Sequence, residues 1–219
     1  MSTQICKEVG CPHCGAAVKT GMWPAISARD NPELRERVLD ETLFDWKCPE
    51  CGYAAQLMYP CLYHDPDRQF MVYVEPNGCG KESETADAEE KFPQLAGVKK
   101  RMVTTLAGLK EKVLIFEAGL DDTAVELVKF ALAGVLEQKY GKKTVNGYFC
   151  FCDEAENKIA FSFFPEGADE PVGRSTRMDA YRKSLEIVKN AGISAGVGFQ
   201  PVDAVTAGKI LEEYRGETE

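Results

Sequence analysis

Histidine is almost missing from this chain: His13 and His64 are the only two, so catalysis built on an imidazole base has few residues to draw on. No Ser-His-Asp arrangement and no glycine-rich phosphate loop can be read in it, which removes the usual nucleotide cradle. No apolar run approaches the roughly 20 residues that a bilayer crossing needs. The opening residues, Met1-Ser2-Thr3-Gln4-Ile5-Cys6-Lys7-Glu8, contain no basic stretch leading into an apolar one. Together these absences lead to the expectation of a cytoplasmic protein with no membrane contact. Positive charge is also scarce, with 26 Lys+Arg against 35 Asp+Glu and a net charge of −9. Affinity for phosphates needs a positive face, so strong non-specific nucleic-acid binding is not expected.

The composition is otherwise that of an ordinary globular protein: 219 residues, 44% hydrophobic and 28% charged. That length accommodates one large domain or two small ones. Cysteine stands out, at nine residues. An odd number in a chain too large to need stapling points to thiols or metal thiolates rather than disulfides.

Residues 81–91, Lys-Glu-Ser-Glu-Thr-Ala-Asp-Ala-Glu-Glu-Lys, are polar, rich in Glu and without aromatic residues, and read as an acidic solvated linker. Before it, residues 1–80 are cysteine-rich and short-stranded. Asn31-Pro32-Glu33-Leu34 with Val38 predicts a helix near 32–40. Met22–Ala28, Thr42–Lys47, Tyr53–Tyr59 and Phe70–Val74 read as strands. In residues 92–219, Val98, Met102, Leu106, Leu109, Val113 and Phe116 share one face of an expected helix. A second helix comes directly after it, with Gly119 as the C-cap of the first and Thr123 to Glu126 spaced as a capping box. Tyr148–Cys152 and Lys158–Phe164 read as a hairpin. Met178, Tyr181, Leu185 and Val188 mark a third helix, and Asp203 can cap a last one. The expected fold class is α+β: a zinc-ribbon-like β module, then a helical pair, a β-hairpin and further helices.

The chemistry concentrates in Cys11-Pro12-His13-Cys14-Gly15 and Cys48-Pro49-Glu50-Cys51-Gly52. Two residues between cysteines let both sulfurs face one side of a tight turn; proline sets φ at its corner and glycine accepts the positive φ of the exit. One such knuckle supplies half a tetrahedron, and two complete it. Cys11, Cys14, Cys48 and Cys51 are therefore the expected ligands of one Zn²⁺ ion. Four thiolates close the shell, so the metal is read as structural rather than catalytic. The competing use is a thiol oxidoreductase at Cys11 and Cys14, because Cys-Pro-His-Cys is also a redox tetrapeptide. That chemistry needs a buried strand before the motif and a long helix after it, whereas Gln4–Gly10 does not read as buried and Gly15 starts helices poorly.

The order of CPHCG, the inserted Asn31-Pro32-Glu33-Leu34 segment, Phe44, CPECG, Tyr63-His64-Asp65 and a strand closing at Pro76 resembles the CpXC family of bacterial and archaeal proteins. Leu109 to Val113, Gly119 to Asp122 and Glu126 are also similar to the segment that lies after the knuckles in that family. The resemblance implies a zinc-binding module and names no activity.

Other groupings have plainer uses. Cys61 and His64 have ligand spacing and the makings of a second metal site with Cys79 or Cys6, against a packed Cys61 and a turn at His64. His64, Asp65 and Asp67 can serve as acid and base, but Asp-Pro-Asp is ordinary turn chemistry. Asp121, Asp122 and Glu126 form the most enzyme-like acidic cluster, and acids in a first helical turn are also simply caps. Lys99, Lys100, Arg101, Lys110 and Lys112 give a basic helix near 98–112 that can meet phosphate or merely face solvent. Cys150 and Cys152 alternate on a strand and should share a buried face. The function expected is a non-enzymatic binding or adaptor protein with a protein partner, with a nucleic-acid-associated regulator or an enzyme as alternatives.

Overall fold

A computed structural model of the chain describes residues 1–76, 97–141, 143–168, 170–192 and 198–216. The chain divides by compactness into two units, Met1–Lys110 with Val197–Phe199, and Glu111–Gly196 with Gln200–Glu219.

In the first unit, β1 (Thr3–Gly10) and β2 (Ala17–Ser27) form an antiparallel hairpin. Helix α1 (Pro32–Leu39) comes next, with Pro32 at its first position and Leu34 and Val38 buried, as their spacing of four requires. Each of these two side chains contributes roughly 1.5–3 kcal/mol by burial. After it lies a small antiparallel ribbon, β3 (Asp45–Lys47) and β4 (Ala54–Gln56). Strands β5 (Cys61–Asp65), β6 (Phe70–Val74) and β7 (Lys99–Val103) complete a sheet in the order β1-β2-β5-β6-β7. Four of the five residues of β6 are buried, the pattern of a strand covered on both faces rather than one alternating between core and water. Ile26, Tyr63, Phe70, Val72 and Val74 fill this core.

Strand β7 corrects the expectation of a continuous helix from 98. Lys99–Val103 pairs in parallel with Phe70–Val74, and helix α2 (Leu106–Glu117) begins only after Thr105, whose hydroxyl accepts a hydrogen bond from the Gly108 amide at 3.0 Å. Val98 and Met102 have helical spacing, but the β-branched run Val103-Thr104-Thr105 favours strand, and Thr105 is a better start signal. The strand therefore belongs with the sheet before it, whereas the sequence alone placed residues from 92 onward with the C-terminal region. The acidic stretch 81–91 lies outside the described residues. The division by compactness falls inside α2.

In the second unit, α3 (Asp122–Tyr140) starts two residues earlier than the expected capping box. Asp121 is its N-cap, accepting from the amides of Thr123 and Ala124 at 3.0 and 3.1 Å, and Gly141 ends it at φ 66°. The hairpin of β8 (Thr144–Asp153) and β9 (Lys158–Pro165) is present, joined by a third strand, β10 (Val172–Arg177), that the sequence pattern did not reveal. Helices α4 (Met178–Asn190) and α5 (Ala204–Gly216) complete the unit, the latter capped by Asp203, which accepts from the Thr206 amide at 2.9 Å. Phe149, Ile159, Phe161 and Phe163 are buried on one face of this sheet. Gly147 is required there: a Cβ would lie 2.7 Å from the ring of fully buried Phe163.

A bulge in β8 overturns the expectation for Cys150 and Cys152. Phe149 pairs with Phe161 but Phe151 pairs with Ala160, so Cys150 is an extra residue and alternation restarts after it. Phe149 is consequently buried and Phe151 is 49% exposed, while Cys150 is exposed and Cys152 only half-buried.

Candidate metal centre

Both knuckles are the turns of hairpins. The first spans the six residues between paired Gly10 and Ala17, the second the six between paired Lys47 and Ala54. Their backbones repeat one hydrogen-bond pattern: Cys11 N–H to Ala16 O at 2.9 Å and Gly15 N–H to Cys11 O at 2.9 Å, then Cys48 N–H to Tyr53 O at 2.8 Å and Gly52 N–H to Cys48 O at 2.9 Å. Gly15 and Gly52 leave at φ 72° and 75°, where a side chain would be strained. The glycine of each motif thus does what the sequence assigned to it.

The two turns face each other. Cys11 Sγ lies 3.7 Å from Cys51 Sγ, and Cys14 Sγ 3.8 Å from Cys48 Sγ; all four sulfurs fall within 4.8 Å of one another. Four close thiols in this arrangement can hold a metal ion. Cys11 and Cys48 are buried beside Trp46, with Val9, Val18, Ala55 and Leu57 around them, while Cys14 and Cys51 are exposed. The Trp46 indole donates to Thr20 Oγ1 at 3.0 Å, tying the ribbon to β2. His13 does not join the sulfurs; its ring lies parallel to Tyr53 at 5.9 Å.

Without a cation the four groups cannot all ionise. Burial raises the Cys11 thiol, but the amides of Cys14 and His13 and the neighbouring thiols outweigh it and bring it to about 6. For Cys51 a hydrogen bond at Tyr53 lowers the thiol, yet burial and the three sulfurs beside it push it up to about 12. Crowded sulfur atoms of this kind are neutralised by a divalent ion, which makes every one a thiolate.

The redox context is not present. Cys11 to Cys14 lies in a β-hairpin, and no helix begins at either knuckle, so the helix N-terminus that activates a redox cysteine is missing from this site.

The remaining groupings resolve into structural roles. Cys61 and His64 both lie on β5, three residues apart, so they project to opposite faces; Cys61 is buried and donates to Trp23 O at 3.0 Å. Burial pushes its thiol to about 12 and pushes the His64 imidazole down. They cannot converge on one ion, and His64 is in a strand, not a turn. Cys79 lies outside the described residues. Asp65 accepts from the amides of Asp67 and Arg68 and from the Arg68 guanidinium at 2.9 to 3.1 Å, and Asp67 pairs with Arg29, which is turn chemistry as anticipated.

The acidic cluster separates as well. Asp121 caps α3, Asp122 pairs with Lys112 at 2.8 Å, and Glu126 pairs with Lys129 at 2.8 Å. Glu111 also holds Lys129, at 2.9 Å, and accepts the Phe149 amide at 2.7 Å. Burial pushes the Glu126 carboxyl up; for Lys129 burial works downward, but Glu111 and Glu126 more than offset it and its pKa is raised. These are saturated buried ion pairs, a network no sequence pattern foretold because it joins α2, α3 and β8.

The basic helix near 98–112 is likewise corrected. Lys99, Lys100 and Arg101 are on β7, where Lys100 and Arg101 are buried. Lys110 pairs with Glu41 at 2.8 Å and Lys112 is buried against Asp122. No solvated basic face is formed by these five residues.

With the two knuckles and their spacing established, comparison with known families decides the relationship: the family described as CpXC protein matches residues 9–129, more than half of the chain. The chain belongs to the CpXC family. The match starts just before the first knuckle, takes in strand β2, the inserted helix, the second knuckle and strands β5 to β7, and ends within α3, while most of β1 lies before it. Sheet β8-β9-β10 lies beyond it. No curated protein and no solved structure matches the chain. No described helix is long and apolar enough to cross a membrane.

Proposed function

We propose that this CpXC protein binds one structural Zn²⁺ through Cys11, Cys14, Cys48 and Cys51, and that it works as a non-enzymatic cytoplasmic binding or adaptor protein for another protein. The observation that carries the metal assignment is the spacing of the sulfurs. Four Zn–S bonds of about 2.3 Å at tetrahedral angles place sulfurs about 3.8 Å apart, and the two cross-knuckle pairs stand at 3.7 and 3.8 Å. An all-sulfur donor set favours zinc over hard cations such as calcium or magnesium. Such a shell leaves no position for water or substrate, which is why the site is assigned to folding rather than turnover. Elemental analysis of metal-replete protein should find one zinc per chain; a value near zero would exclude the assignment.

A regulator acting through nucleic acid is the weaker reading, since the residues of its proposed basic helix are divided between a strand and ion pairs with Glu41 and Asp122. Binding of duplex or single-stranded nucleic acid at physiological salt should be no tighter than the roughly 10⁻⁴–10⁻⁶ M typical of non-specific contacts. Fluorescence anisotropy across a salt series measures this, and tight binding with a steep salt slope would reverse the preference.

A further inference from the structure

Two carboxylates share one ammonium in the core of the second unit. The side chains of Glu111, Glu126 and Lys129 are 7, 5 and 12% exposed. Lys129 has three hydrogens to give, and it reaches Glu111 Oε1 at 2.9 Å, Glu111 Oε2 at 3.1 Å and Glu126 Oε2 at 2.8 Å. With every group ionised, two negative charges face one positive, away from the solvent that would screen them. Lys112 also acts on Glu126, but it is held by Asp122 at 2.8 Å and by Val202 O at 3.1 Å. The other elements packed on α3 do not correct the imbalance. Strand β8 offers the Phe149 amide to Glu111 at 2.7 Å, and the residues buried on α4 and α5 are Met178, Tyr181, Val188, Ala207 and Ile210, none of them a cation. The Tyr181 hydroxyl is occupied in accepting the Asp121 amide at 2.9 Å.

A surplus negative charge among buried carboxylates is removed by a proton. Hydrogen bonds decide which carboxyl takes it. Glu111 accepts from the Phe149 amide and twice from Lys129, contacts that favour its ionised form, whereas among the described residues Glu126 accepts from Lys129 alone. We propose that Glu126 still holds a proton when the surface carboxylates have ionised, and that this proton fastens α3 to α2 and β8. Burial pushes the Glu126 carboxyl up, and Glu111 adds to that effect against the pull of Lys129. Between the ordinary carboxylate range and that raised value the folded chain binds a proton that the unfolded chain has released. The contribution to stability is therefore complete below this window and is lost as pH rises through it. That is the reverse of acid denaturation: the second unit is tightest in mild acid and loosens as Glu126 ionises beside Glu111.

Carbon-13 NMR of the full zinc-loaded chain, labelled at glutamate Cδ, follows this carboxyl directly, with its signal assigned by its disappearance in Glu126→Gln. The signal should stay in its protonated position after those of the exposed glutamates have shifted. Urea titrations across a pH series should show Glu126→Gln matching wild type at the acid end and exceeding it increasingly as pH rises, because glutamine keeps an acceptor for Lys129 without the charge. Glu111→Gln leaves one carboxylate for one ammonium, so the Glu126 titration should move down toward that of the exposed glutamates. Glu126 shifting together with the surface carboxylates, a stability gap that does not widen with pH, or a Glu126 titration unmoved by Glu111→Gln each overturns the proposal.

Discussion

Cys48→Ser is expected to unfold the knuckle region while leaving the helices of the second unit in place. Cys48 is 1% exposed and lies in a small cluster with Cys11 and Trp46; strands of three residues, β3 and β4, carry the second knuckle. Elements this short cannot bury enough surface to hold themselves together. Zinc binding releases on the order of 10 kcal/mol in small zinc peptides, comparable with the whole stability of a domain. Losing one ligand forfeits much of that. Hydrogen exchange should show amides of 9–20 and 45–57 losing protection in the variant and in chelator-treated protein, with α3 still protected. Protection that persists in the knuckles after metal removal would mean that the ribbon stands without its ion.

Lys112→Met should destabilise the second unit by about 3–5 kcal/mol, the usual cost of leaving a buried charge without its partner. Lys112 and Asp122 are 3% and 0% exposed at 2.8 Å, and Lys112 also donates to Val202 O at 3.1 Å. The double variant Lys112→Met with Asp122→Leu should recover a large part of the loss, because the desolvation of both charges disappears along with their attraction. Denaturant titrations followed by helical signal give the four corners of this cycle. A loss below about 1 kcal/mol for Lys112→Met would show that the pair contributes little and is solvated more than its burial implies.

The four-cysteine cluster was the most legible part of the chain because its information is local. In a Cys-Pro-x-Cys-Gly turn, spacing, proline and glycine all act within five residues, and only the meeting of the two turns had to be inferred. Helix α1, strand β6 and helix α4 were legible for the same reason, through Pro32, the apolar run at Phe70–Val74 and the spacing of Met178, Tyr181 and Val188. What failed depended on partners distant in sequence. Lys99–Val103 becomes a strand because β6 offers it an edge, which overrides the helical spacing of Val98 and Met102. Strand β1 escaped because most of its residues are exposed, leaving no apolar alternation to detect. The bulge at Cys150 inverted the faces of β8 with no glycine to announce it. Capping, the reading favoured for Asp121, Asp122 and Glu126, holds for Asp121, whereas the pairing of Asp122 with Lys112 and of Lys129 with Glu111 joins residues 10 and 18 apart and could not be read from local spacing.

The central claim is that all four ligands of the metal are sulfur, and X-ray absorption at the zinc edge measures that directly. The knuckle geometry predicts four sulfur scatterers at about 2.3 Å and no nitrogen or oxygen in the shell. Two or three sulfurs accompanied by a light ligand near 2.0 Å would contradict it, since that shell keeps a position open for water or substrate and would move the site from folding to chemistry.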